Sequence, residues 1–122
     1  MHGLWPSYSN RSYPQYCDGS AYTNITGVQY QDMLNYWNVG PDNQEFWAHE
    51  WEKHGTCAQN ATGIGQDEYF NQALDLFKAL LPNNTWTCGQ SSDCVVACYD
   101  LNFKPYACAS ASARELFLNH KV

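Results

Sequence analysis

Phe46-Trp47-Ala48-His49-Glu50-Trp51-Glu52-Lys53-His54-Gly55-Thr56-Cys57 packs two His, two Glu, a Lys, two Trp, a Phe and a Cys into twelve residues. A core helix wants one apolar stripe and a polar back. Here ionisable groups alternate with large aromatics, which would hold them in a partly desolvated wall. Read as a helix at about 100° per residue, Glu50 and His54 lie one turn apart on one face, and His49 and Lys53 pair in the same way on the next. Phe46, Trp47 and Trp51 anchor the other side. Gly55 is expected to stop the helix, as a glycine just past the last turn commonly does, and Cys57 to pin its end. The product would be a rigid shelf offering a carboxylate, an ammonium and two imidazoles to one cleft, which suits proton transfer at an anionic substrate.

Two other readings compete. A zinc helix places two His at i and i+4, whereas His49 and His54 are at i and i+5, roughly 140° apart. Lys53 would also put a positive charge where the cation sits, so no metal is expected. The plainer alternative is a solvated helix laced with Glu–Lys pairs.

The 122 residues suffice for one domain, taken as 1–122, with a modest core. Aromatics make up 16% and charged residues only 15%, unlike a disordered acidic tail. Six Cys with no Cys-x-x-Cys point to disulfides and an oxidising compartment. Sequons at Asn10, Asn24, Asn60 and Asn83 agree with a secreted or lysosomal/vacuolar glycoprotein. The sequence reads as lacking a signal peptide, and no apolar run reaches membrane-spanning length. A net charge of −6 argues against tight nonspecific nucleic-acid binding by bulk charge, and protonating the four His would bring it to −2.

Outward from the central stretch, Met1-His2-Gly3-Leu4-Trp5-Pro6 reads as a strand end entering a turn. Ser7 to Asn24 is loop-like and rich in Tyr and Ser, whose rings would stack on bases or simply pack. Thr26 to Trp37 reads as a short helix capped by Thr26 or Gly27, with Val28, Met33, Leu34 and Trp37 as its apolar face. Ala58 to Gly65 is a loop. Gln66 to Leu81 is the clearest helix, with Tyr69, Phe70, Ala73, Leu74, Phe77, Leu80 and Leu81 as core and without a catalytic role. Val95 to Tyr99 looks like a buried strand turning at Asp100-Leu101-Asn102 toward Tyr106-Ala107-Cys108. Ser112 would cap a short final helix carrying Leu116 and Phe117.

Taken together, His2-Gly3-Leu4-Trp5-Pro6 and the stretch from Phe46 to Cys57 resemble the ribonuclease T2 family. Cys98-Tyr99-Asp100-Leu101-Asn102-Phe103 and Cys108 add a weaker match. The resemblance implies an α+β fold, an antiparallel sheet with packed helices, stapled by disulfides. It implies a single-domain, monomeric endoribonuclease that cleaves single-stranded RNA to 2′,3′-cyclic phosphate ends, with no metal, cofactor, DNA or membrane partner. By that resemblance His54 is the general base on the 2′-hydroxyl and His2 the general acid at the leaving 5′-oxygen. Glu50 and Lys53 would stabilise the transition state, His49 would bind phosphate and Trp5 would stack on a base. Two imidazoles with ordinary pKa values of about 6.5 suit such an acid–base pair and give a bell-shaped pH profile.

The resemblance also implies pairing of Cys17 with Cys57 and of Cys98 with Cys108, leaving Cys88 for Cys94. The chain departs from the family in four places. Family strands before His-Gly-Leu-Trp-Pro have no counterpart, and the stretch from Leu81 to Cys88 is short. The final strand after Cys108 is not recognisable, and Ser7 stands where Asp or Asn often follows the Pro. A form truncated at the N-terminus and shortened in its C-terminal half is therefore expected. The alternative is a catalytically impaired, T2-like glycoprotein acting by binding.

Overall fold

The computed structural model describes residues 1, 3–8, 12–17, 19–80, 97–106 and 116–120, the last five by their backbone. Strand β1 (Leu4–Tyr8) comes first, followed by helices α1 (Gly27–Tyr36) and α2 (Asn43–Glu50). A π-helical turn, Trp51–Gly55, joins α2 to α3 (Thr56–Thr62), and α4 (Gln66–Leu80) follows. Strands β2 (Cys98–Tyr99), β3 (Pro105–Tyr106) and β4 (Leu116–His120) complete the described elements. The fold is α+β. The sheet order is β1-β4-β2-β3. β2 and β3 pair antiparallel, while β4 runs parallel to both β1 and β2.

Pro6 sits inside β1, which a central strand would not tolerate because proline brings no N–H to the ladder. Among the described strands β1 lies at the edge of the sheet, where a missing donor costs little. The β2–β3 turn is built on Asp100, whose carboxylate accepts from the Asn102 and Lys104 N–H groups at 2.8 and 3.0 Å. This is the local side chain-to-backbone bonding that makes Asp a turn residue.

The core lies between the helices and the sheet. Trp37, Trp47, Trp51, Tyr69 and Phe70 fill its centre, with Leu4 from β1 and Met33 from α1. Their rings meet edge to face, as Trp51 does with Tyr69 at 5.6 Å and Trp37 with Phe70 at 5.6 Å, the arrangement that aromatic quadrupoles favour. Lys78 of α4 reaches Asp32 of α1 at 2.9 Å and closes the outer seam.

Four expectations need correction. Gly55 does not stop the helix. Its backbone is right-handed helical and the chain runs on into α3, which ends instead at left-handed Gly63. Residues 58–62, expected as loop, belong to α3. Val28 is 84% exposed, because nine residues at about 100° each set it opposite Trp37. Thr26 does hold the N-cap position of α1, as expected, without a side-chain capping bond. Leu116–His120 is a strand and not part of a Ser112-capped helix, since its backbone completes the sheet between β1 and β2. The chain after Cys108 therefore does carry a strand. Leu81, Val95, Val96, Ala107 and Ser112 lie outside the described residues.

The described residues between β1 and α1 form no helix or strand, yet they are pinned. Gln44 accepts from the Ile25 N–H at 3.1 Å and donates to the Ile25 carbonyl at 2.8 Å. Gln66 does the same for Thr23, at 2.8 and 2.6 Å. The Trp51 indole donates to the Ser20 carbonyl at 2.7 Å. Backbone polar groups that lack a ladder need other partners, and here two amide side chains take the role of a neighbouring strand. Cys17 and Cys57 are disulfide-bonded with Cα atoms 5.0 Å apart, as expected. Cys98 is also in a disulfide. Cys88, Cys94 and Cys108 lie outside the described residues.

Candidate active site

The fold brings Trp5 of β1 onto the end of α2 and the π turn, 45 residues away in sequence. The Trp5 indole N–H donates to Glu50 Oε2 at 2.7 Å. The same ring lies flat on the His54 imidazole, centroids 4.3 Å apart and planes 7° apart. Glu50 is 2% exposed and His54 1% exposed. A carboxylate so buried needs hydrogen-bond donors to remain tolerable, and the indole supplies one. The outcome is a desolvated imidazole and carboxylate held in fixed relation by one aromatic plate.

Gly3 makes that contact possible. A Cβ there would collide with both the Trp5 indole nitrogen and the Glu50 carboxylate. Gly55 has a similar steric reason, since the ring of Trp51 lies where its Cβ would be. This explains a glycine in mid-helix, at a place where the sequence suggested a terminus. The π turn that holds Gly55 also carries Lys53 and His54. Such turns gather at functional sites, because one extra residue re-aims the side chains that follow.

The four groups expected on one shelf, His49, Glu50, Lys53 and His54, are split rather than gathered. Glu50 and His54 are buried under Trp5, whereas His49 is exposed and Lys53 half-buried. Two exposed tyrosines stand at the rim. The Tyr13 ring centroid is 6.3 Å from that of His54, and the Tyr16 ring is edge-on to His49 at 6.4 Å. Among the described residues no group of three His, Cys, Asp or Glu could hold a metal ion. His2 lies outside the described residues, as do Asn10 and Asn83. Asn24 and Asn60 are exposed.

One residue with a part in the site escaped the sequence reading. Tyr69, taken there as plain core, donates its hydroxyl to the Leu4 carbonyl at 2.8 Å. It thereby ties α4 to β1, which carries Trp5 and follows directly on Gly3. Burial pushes its phenol well above the usual range, and the nearby Glu50 charge pushes the same way. Its apolar spacing hid this role, because a Tyr on a helix stripe looks like any other core ring.

The model of the Ribonuclease T2 family matches residues 1–100. Ribonuclease Trv of Hypocrea rufa is 40% identical over 105 residues, covering 70% of this chain and 44% of that protein. Ribonuclease T2 of Sus scrofa is 43% identical over 94 residues, again 70% and 44%. Among solved structures, ribonuclease MC1 from bitter gourd seeds superposes with a TM-score of 0.51 at 37% identity, over 67% of this chain and 46% of that one. A point mutant of that ribonuclease, solved in complex with 5′-GMP, gives the same TM-score at 35% identity and the same coverage. The chain spans less than half the length of these relatives. With the family model matched over most of its length, the chain belongs to the ribonuclease T2 family.

Proposed function

We propose that the chain is an endoribonuclease of T2 type. It cleaves single-stranded RNA by transphosphorylation, in which the 2′-hydroxyl attacks the adjacent phosphorus, the bond to the 5′-oxygen breaks and a 2′,3′-cyclic phosphate remains. The observation that carries this reading is the Trp5–Glu50–His54 cluster, in which two motifs distant in sequence meet through a 2.7 Å hydrogen bond and a ring stack. His54 takes the proton from the 2′-hydroxyl, and His2 protonates the leaving 5′-oxygen. Glu50 and Lys53 stabilise the charge that builds on the phosphorane-like transition state, and His49 binds phosphate. Trp5 is only partly buried, so part of its surface is left to meet a base.

Fixed dipoles and charges around a desolvated centre are the setting in which such stabilisation is largest. Imidazole suits both proton transfers because its ordinary pKa, about 6.5, lies near the operating range. The 5′-GMP complex of the bitter gourd ribonuclease mutant supports a nucleotide-binding site in this fold. Secretion is supported by the Cys17–Cys57 disulfide, because such bonds persist in oxidising compartments. The exposed sequons at Asn24 and Asn60 agree with it. The protein acts as a monomeric single domain.

An oligonucleotide with one ribose among deoxyriboses tests the chemistry. Cleavage only on the 3′ side of the ribose is the expected result. Cutting at deoxyribose linkages would rule out attack by the 2′-hydroxyl.

A further inference from the structure

The segment between β1 and α1 carries an exposed ring that packing does not explain. Tyr16 is 59% exposed and its backbone is left-handed, at φ 50°. A bulky residue rarely adopts that conformation, and it persists only where the surroundings impose it. Two ties do so. The Tyr16 N–H donates to the Lys53 carbonyl at 2.9 Å, and the next residue, Cys17, is bonded to Cys57. Both ties end on the helical segment that carries His49, Lys53 and His54. The ring stands edge-on to His49, with planes 74° apart. A constrained backbone thus holds an apolar ring out in water, beside the motif.

Charge supports the same conclusion. The chain is acidic, at −6. Of the lysines among the described residues, Lys78 is engaged with Asp32 and Lys104 lies in the β2–β3 turn. That leaves Lys53 as the one in the motif. An acidic protein that holds a polyanion gains little from bulk attraction. Bases stacking on aromatic faces are the other general source of affinity for single strands, and they tolerate any sequence.

We propose that Tyr16 is a stacking platform for a nucleobase of the RNA strand, outward from the scissile linkage on the His49 side. The chain would then grip an oligonucleotide longer than the dinucleotide step it cuts. This inference rests on the ribonuclease reading given above.

The test uses a short single strand whose scissile ribose is 2′-deoxy, so that it binds without being cut. Its affinity is measured for the parent, Tyr16→Ala and Tyr16→Phe, and again with one base at a time removed along the strand. Tyr16→Ala weakens binding by roughly 5- to 100-fold, the range of one base–aromatic stack. Tyr16→Phe, which keeps the ring, restores most of it. Removing the stacked base weakens binding to the parent by a similar factor, yet adds nothing in Tyr16→Ala. That non-additivity marks direct contact, and a purely structural role would not produce it. The proposal falls if Tyr16→Ala binds like the parent, or if its loss adds in full to that of every removed base. A parent that cuts RNA and binds the strand while either of these holds would overturn the platform alone. A folded parent that neither binds nor cuts would overturn the ribonuclease reading with it.

Discussion

Gly3, Trp5, Glu50 and His54 form one mechanical unit, and its weakest tolerance is at the glycine. Gly3→Ala would force the indole and the carboxylate apart. A displacement near 1 Å at a reacting group costs about 100-fold in rate. The expected outcome is a fall of that order in single-turnover cleavage, with the helical circular dichroism unchanged. Tyr69 acts one step further out. Tyr69→Phe leaves the Leu4 carbonyl without its donor, at a cost of about 1–3 kcal/mol, readable as a lower unfolding midpoint. The pH dependence follows from the same residue. Its phenol holds the proton more tightly folded than unfolded. Its contribution is therefore complete below the ordinary phenol pKa of about 10 and is lost as pH rises from there through the raised folded value. Thermal midpoints should fall in that alkaline range, and less steeply in Tyr69→Phe.

At the level of elements, the Cys17–Cys57 bond spans 40 residues and fastens the pinned loop to the start of α3. Replacing both cysteines by serine should lower stability by about 2–4 kcal/mol, as a loop of that length predicts, with denaturant unfolding as the readout. Gly55→Ala separates the two accounts of that glycine. A helix-ending role would predict a loss of about 1–2 kcal/mol from left-handed backbone strain that is indifferent to residue 51, whereas crowding against Trp51 predicts about 1–3 kcal/mol, relieved when Trp51 is shortened to Leu in the same chain. Helices α1 and α4 were legible, because apolar spacing over Met33–Trp37 and Tyr69–Leu74 matches the buried faces, whereas most of α3 was read as loop. The π turn was not legible, since a single extra residue per turn leaves no mark on composition or period. Nor was β4, where Leu116 and Phe117 fit a helix or a strand equally well and pairing with β1 and β2 decides the matter. The glutamine clamps on Thr23 and Ile25 were hidden for a different reason. They join residues far apart in sequence through side chains common on any surface.

For the whole molecule, the family and the candidate residues Trp5, Glu50 and His54 could be read from two short motifs, while the contact between them could not. The flat stack of Trp5 on His54 depends on β1 crossing the end of α2, which no local pattern encodes. The burial of Glu50 and His54, apart from exposed His49 and half-buried Lys53, depends on it as well. An acidic molecule with one motif lysine should bind single strands with little salt dependence. Each phosphate contact contributes about 0.7 to the slope of log affinity against log salt, so a slope near −1 is expected, measured on the 2′-deoxy strand between low and physiological salt. The claim on which the account turns is that the Trp5–Glu50–His54 cluster drives cleavage. It is tested most directly by incubating the purified chain with single-stranded RNA at pH 5 in EDTA, beside His54→Ala, and analysing the new 3′ ends. The expected result is 2′,3′-cyclic phosphate ends from the parent and none from the folded variant. Equal cleavage by both, or no cleavage by a folded parent, would contradict it.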